Sequence, residues 1–320
     1  MSGGFVAAQV EALRERGLDV RVVSPADFRH HGLARPPGIP ANVRHKPWRA
    51  LYVPSLLASF RRAAARGAQG ADLVHAHWLG AGAVAATLGK PYVLQVHGTD
   101  LVLGLRFPRL ARPILQRAAL VVAGSEALAA DARTLGARDV RVIPTSVPLP
   151  PEVVVPEEPP HILFVGRLSE EKGVLELAEA ARDLPLVVVG SGHLASSIPG
   201  VVGPVPPREL GGYYDRASIV AVPSRREGYG LVAREAMARG RPVVASAVGG
   251  LPEAIEDGVN GVLVAPLDVA ALRQALQELL DDPERRARLG AAARAYAVEH
   301  FSQEREVDGL LGVYSEVARS

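Results

Sequence analysis

The sequence predicts an α/β protein of two Rossmann-like domains, and three observations carry that expectation. Short runs rich in Val, Ile and Leu alternate with helix-like stretches from end to end, the pattern of parallel sheets wound with helices. The chain has 320 residues, 48% of them hydrophobic, which is enough for two separate cores. Midway, TSVPLPPEVVVPEEPP (145–160) places six prolines in sixteen residues, a density that no regular element tolerates.

The elements follow in order. In the first half, VRVV (20–23), DLVHAH (72–77), YVLQVHG (92–98), LVVAGS (120–125) and VRVIP (140–144) read as strands. Phe5 to Arg16, Ala81 to Leu88 and Glu126 to Leu135 read as helices between them. After the proline-rich segment the alternation restarts with HILFVGR (161–167), LVVVGSG (186–192), IVAVPS (219–224), PVVAS (242–246) and GVLVA (261–265). Val174 to Arg182, Leu231 to Arg239, Ala270 to Leu280 and Pro283 to Tyr296 supply the helices of this half. The closing EVDGLLGVYSEVARS spaces Val307, Leu310, Leu311, Tyr314 and Val317 as one helical face. The expected domains are 1–150 joined by a returning helix at 304–320, a linker at 151–160, and 161–303. Ligands of such sheets bind beyond the carboxyl ends of the strands, so a cleft between the domains is the default site.

Composition removes several chemistries. Without cysteine there is no disulfide framework, thiolate metal site or cysteine nucleophile. The N-terminus lacks a signal-peptide pattern, and no apolar run reaches the roughly 20 residues that span a bilayer. A cytoplasmic protein is expected, with the inner face of the membrane as a location. The net charge of +2 hides a division: residues 1–150 sum to +10 and 151–320 to −8. Residues 28–71 hold eight Arg or Lys and no acid, the place where an anionic partner would be drawn. Within it, PWRALYVPSLLASFRRAAARG (47–67) mixes Trp48, Leu51, Tyr52, Leu56, Leu57 and Phe60 with Arg49, Arg61, Arg62 and Arg66. Such a helix either packs on the sheet or lies on an anionic membrane surface. No nucleic-acid motif accompanies the charge.

The chemistry concentrates at PSRREGYGLVAREAMARG (223–240), a strand end entering a helix. Gly228 and Gly230 allow a tight turn and a close ligand. Backbone N–H groups of Tyr229, Gly230, Leu231 and Val232 at the helix start suit a phosphate. Glu227 precedes that helix and Glu235 lies inside it, so at ~1.5 Å rise per residue their carboxylates flank the anion site several ångströms apart. Arg167 ends a strand and Lys172 follows five residues later, placing two cations at one carboxyl end. Cations and helix N–H groups there would stabilise charge on a departing diphosphate. No Asp or His cluster at metal-ligand spacing is present, so no metal is expected.

These motifs, with VGRLSEEKG (165–173), VVVGSG (187–192), GGLPEAIEDGVNGVLV (249–264) and HFSQE (300–304), resemble the retaining family-four glycosyltransferases of the two-Rossmann-domain GT-B fold. The resemblance implies transfer of a sugar from a nucleoside-diphosphate sugar, a UDP- or GDP-sugar, to a carbohydrate or lipid-linked acceptor, with retention and without metal or further cofactor. It implies that Glu227 contacts donor-sugar hydroxyls, Glu235 the ribose, and Arg167 and Lys172 the diphosphate. It also implies that His97, in HGTD after a strand, faces the donor sugar near the reaction centre. Asp100 is then a helper or a helix cap, and His75 and His77 belong to the core or the wall of the cleft.

Two departures stand out. Family members begin with a strand and a glycine-rich loop at the donor phosphate, whereas here SGGF opens the chain; Gly3 and Gly4 are read as the loop's remnant, and a misassigned start or a truncation, ahead of a naturally shortened protein, as the cause. The family's Asn-Gly-Val-Asp reads Thr145, Ser146, Val147, Pro148. Two other functions therefore accompany the transferase reading, a nucleotide-sugar-binding protein without turnover and a sugar-nucleotide epimerase.

Overall fold

The computed structural model describes residues 4–34, 42–43 and 45–319. Its chain divides into two compact units. The first comprises Met1–Ala12, Gly124–Leu128 and Ile143–Gly309; the second comprises Leu13–Ala123, Ala129–Val142 and Leu310–Ser320.

The first unit is built on a six-stranded parallel sheet of β5 (Ile162–Val165), β6 (Leu186–Val189), β7 (Val201–Gly203), β8 (Ile219–Val222), β9 (Val243–Ser246) and β10 (Val262–Val264), in the order β10-β9-β8-β5-β6-β7. These strands are continuous apolar runs because helices cover both faces. Alternation along β5 assigns the faces: Ile162 and Phe164 join one core, Leu163 and Val165 the other. On β8, Ile219 and Ala221 divide from Val220 and Val222 in the same way. One core takes in α9 (Leu231–Ala238) and α11 (Pro283–His300); the other takes in α7 (Val174–Ala180) and α10 (Val269–Asp281). Strand order runs outward in both directions from the β5–β8 pair, so the topological switch point, the place where ligands bind in such sheets, lies at the ends of β5 and β8.

The second unit carries a four-stranded parallel sheet, β1 (Val74–His77), β2 (Tyr92–Val96), β3 (Leu120–Ala123) and β4 (Val140–Val142), in chain order. Its helices are α2 (Val53–Gly67), α3 (Trp78–Ala85), α4 (Gly98–Arg106) and α5 (Pro108–Arg117). Three helices run across the division between the units, α1 (Gly4–Glu15), α6 (Glu126–Thr134) and α12 (Gln303–Val317). Helix α8 (Pro207–Arg216) belongs to the first unit.

Three expectations change. Residues 20–23 form no strand, and Val22 is half exposed. Strand propensity is expressed only where a ladder neighbour accepts it, and β2 is the one strand hydrogen-bonded to β1 among the described residues. The helix after β1 starts at Trp78, three residues earlier than its composition suggests, and Trp78 enters it at φ +65°. The proline-rich segment has no regular structure but is pinned to the first unit. Val147 N–H donates to the Phe301 carbonyl at 3.2 Å, Arg294 Nη2 to Pro150 at 2.5 Å, and Arg241 to Val154.

Candidate functional site

The ends of β5 and β8 bring most of the expected donor-site residues together in the first unit. Beyond β5 the chain passes Gly166, Arg167 and Leu168 into a 3-10 turn over Glu170–Lys172. Gly173 then reverses it at φ +66°, where a Cβ would stand 1.8 Å from the Pro223 carbonyl oxygen. Only glycine permits that approach, and it presses the Lys172 turn against the end of β8. Lys172 Nζ consequently reaches Glu227 Oε2 at 2.7 Å, with both side chains largely covered. Ser224 Oγ donates to the same oxygen at 3.3 Å. Two residues taken from different motifs are thus a direct ion pair. Arg167 is placed otherwise: its guanidinium is exposed and bonds Glu171 at 3.3 Å.

The turn that carries Glu227 is shaped by backbone packed on backbone. Gly249 adopts φ +53°, and a Cβ there would lie 1.6 Å from the Glu227 carbonyl oxygen; one on Gly250 would lie 2.5 Å from that of Gly228. Gly250 N–H donates to the Glu227 carbonyl at 3.3 Å and Ser125 Oγ to the Gly228 carbonyl at 2.9 Å. Tyr229 donates its hydroxyl to the Thr145 carbonyl at 2.5 Å, so it anchors the turn, and burial pushes its phenol well up. Gly230 sits at φ +82° as the N-cap of α9, where no side chain caps the helix start at Leu231 and Val232. Inside α9, Glu235 accepts a 2.7 Å hydrogen bond from the buried Tyr214 hydroxyl. Burial raises the Glu235 pKa, against the opposing effects of that hydrogen bond and of Arg239. Gly4 opens α1 in open space, and Gly3 lies outside the described residues.

Arg234 was not singled out in the sequence, although it is the one charged residue on the inward face of LVAREAMA, and that is the signal that marks it. Its side chain is 2% exposed. The guanidinium lies 3.8 Å from the Tyr229 ring centroid and 5.1 Å from that of Phe301. It donates to the Tyr229 carbonyl and, at 3.1 Å, to the Gly250 carbonyl. Arg234 therefore ties the two glycine turns around Glu227 to each other. Tyr214, which holds Glu235, was missed too.

In the second unit, His97 ends β2 and caps α4. Asp100 accepts from the His97 N–H at 2.9 Å and from the Leu79 N–H at 3.0 Å, which makes it a helix cap and a tie to α3. Burial raises Asp100 to about 6 despite those donors. His77 Nδ1 and His97 Nε2 are 3.3 Å apart, and His97 also packs on Trp78 with ring centroids 4.8 Å apart. His75 stacks on His77 and meets the Tyr314 hydroxyl through Nδ1 at 2.5 Å. Burial, and then His77, lower His97 to about 3; burial lowers His77 to about 4, and burial with both neighbours lowers His75. All three imidazoles are uncharged at neutral pH. Each neutral ring offers one donor and one acceptor, a hydrogen-bonding device and not a cation.

No group of three or more His, Cys, Asp or Glu is placed to hold a metal ion among the described residues. No helix among them is long and apolar enough to cross a membrane.

Comparison with known proteins shows the family and the fold. The family model "Glycosyl transferases group 1" matches residues 149–296, and "Glycosyltransferase Family 4" matches residues 3–149. The chain is 41% identical to a D-inositol 3-phosphate glycosyltransferase of Xylanimonas cellulosilytica over 188 residues, 52% of this chain and 44% of that protein. It is 33% identical to D-inositol 3-phosphate glycosyltransferase 1 of Catenulispora acidiphila over 319 residues, 82% of this chain and 76% of that protein. The chain spans about half the length of the first curated relatives it matches. Among solved structures, sucrose-phosphate synthase from Thermosynechococcus elongatus superposes with a TM-score of 0.80 at 27% identity, covering 99% of this chain and 93% of that one.

Proposed function

Because the chain belongs to the family-four glycosyltransferases of GT-B architecture, we propose that it transfers a sugar from a UDP- or GDP-sugar to an anionic or lipid-linked acceptor, with retention of anomeric configuration and without a metal ion. The observation that carries the proposal is the Lys172–Glu227 pair at the switch point of the six-stranded sheet, beside the uncapped start of α9. In this reading Lys172 and Arg167 take the diphosphate and Glu227 takes the donor-sugar hydroxyls, so donor binding exchanges the ion pair for substrate contacts. Glu235, held at one oxygen by Tyr214, offers the other to the ribose. The bond between the anomeric carbon and the phosphate oxygen breaks as the acceptor oxygen bonds to that carbon on the same face. The acceptor proton leaves with the nucleoside diphosphate. Negative charge growing on the phosphate is what the cations and helix N–H groups would stabilise. His97 is assigned a catalytic role on the family resemblance, as a neutral hydrogen-bonding group.

Two features support an anionic acceptor. The relatives act on an inositol phosphate, and the acid-free segment 28–71 lies in the second unit. Its residues Trp48, Leu51 and Leu57 are exposed beside Arg49, Arg61 and Arg62, which also suits an anionic membrane surface. The test is incubation with candidate donors and acceptors, followed by chromatography of the nucleotide and NMR of the glycoside. Transfer with retention that is lost in Glu227→Ala supports the enzyme. Binding without turnover points to a nucleotide-sugar-binding protein, and an altered sugar still on the nucleotide points to an epimerase.

A further inference from the structure

We propose that the corner between α4 and α5 docks onto an anionic phospholipid bilayer, a deepening that rests on the peripheral-membrane part of the function proposed above. Leu103, Phe107 and Leu110 are 45%, 49% and 73% exposed. They succeed one another at one-turn spacing, since the Phe107 N–H donates to the Leu103 carbonyl and the Leu110 N–H to the Phe107 carbonyl, each at 3.0 Å. Single exposed apolar residues are ordinary on protein surfaces; a run of three that rounds a helix corner is not.

The charge around this strip has one sign. Residues 101–125 contain Arg106, Arg109, Arg112 and Arg117 and no Asp or Glu. On α5, Ala111 and Leu115 turn inward and are buried, while Leu110, Arg109, Arg112 and Arg117 are exposed around the rest of the helix. The Arg106 guanidinium lies 5.9 Å from the Phe107 ring centroid. A bilayer interface uses both halves of this pattern: lipid phosphates meet the arginines, and the apolar side chains enter the boundary between headgroups and acyl chains. A soluble polyanion would use the arginines alone and leave Leu110 in water. Helices α2 and α5 both pack against α3.

Co-sedimentation of the full chain with phosphatidylcholine vesicles, with and without phosphatidylglycerol, tests the proposal. At low salt the protein is expected to pellet with the anionic vesicles only, and to be released as salt rises. The variant with Arg109→Gln and Arg112→Gln should bind about twenty-fivefold more weakly, at about fivefold per arginine. A second variant, Phe107→Ser with Leu110→Ser, should weaken binding at unchanged salt dependence. Both alter exposed side chains, and an unchanged melting temperature confirms that they fold. Equal pelleting with neutral vesicles would overturn the proposal, as would corner variants that bind like the wild type while Arg61→Gln with Arg62→Gln alone abolishes binding. Nucleoside-diphosphate release from a soluble donor should be the same in wild type and corner variants. Its absence in both would defeat the transferase reading and leave the vesicle result standing on its own.

Discussion

At the Glu227 turn a strand end meets a helix through charged side chains that neutralise one another, Lys172 with Glu227 and Arg167 with Glu171. At the His97 turn a strand end meets a helix through imidazoles that burial keeps uncharged, capped by a carboxyl group whose own pKa is raised. In the proposed function the charged turn would offer its cations to a diphosphate, each of them already holding a counter-charge in the structure. The neutral turn supplies shape and directional hydrogen bonds with no net charge. The first depends on backbone positions that only glycine can occupy; the second depends on burial.

Substitutions that attack the glycine framework should therefore have the largest effect. Gly249→Ala puts a Cβ within 1.6 Å of the Glu227 carbonyl oxygen at a positive φ, and is expected to cost about 3 kcal/mol in urea denaturation. Stability equal to wild type would show that the two turns do not constrain each other. Arg234→Met keeps an inward-facing chain of similar length but strips a donor from the Tyr229 and Gly250 carbonyls. A loss of about 2 kcal/mol and weaker nucleotide binding are expected, whereas an unchanged unfolding midpoint would remove Arg234 from the account.

The neutral turn should reveal itself through pH. With His97 at about 3 and His77 at about 4 in the folded state against 6.5 unfolded, the unfolded chain takes up protons first as pH falls. Stability present above pH 6.5 is then lost on acidification, by about 2 kcal/mol per imidazole at pH 5. Asp100 acts in the opposite sense. Its folded pKa of about 6 lies above 3.8, so the folded state protonates first and regains about 1 kcal/mol over the same window. Chemical denaturation at pH 7 and pH 5 should show a net loss that His97→Asn reduces; equal losses in both proteins would mean that these rings titrate normally. The smallest effect is expected at Tyr214→Phe. Removing the hydroxyl deprives Glu235 of a hydrogen bond and should weaken donor binding by about fivefold, near 1 kcal/mol, in calorimetry.

How much of this was readable beforehand follows from what each feature depends on. β5, β6, β8, β9 and β10 were legible because their apolar runs are local properties of the chain, whereas the three-residue β7, Val201–Gly203, was not read as a strand. Glu227, Glu235, Lys172 and Arg167 were singled out because strand, glycine and helix coincide at fixed spacing; the structure pairs Lys172 with Glu227, Arg167 with Glu171 and Glu235 with Tyr214. That Lys172 bonds Glu227 was not, since the contact depends on Gly173 fitting against Pro223, 50 residues away along the chain. The error at 20–23 has a related cause, because β-propensity describes a segment but says nothing of its ladder neighbour. Helices α4 and α5 were not among the elements read from the sequence; Pro108 stands in the first turn of α5, where a missing N–H costs nothing.

The central claim, that the turn at Glu227 and Lys172 holds a nucleoside-diphosphate sugar, is tested most directly by a thermal-shift panel of UDP, GDP and ADP and their sugars. A ligand that binds only the folded state must raise its melting temperature. One base should stabilise the wild type, its sugar nucleotide further, and Lys172→Ala should lose most of both shifts. A panel in which no nucleotide raises the melting temperature, or in which Lys172→Ala responds like the wild type, would contradict the account.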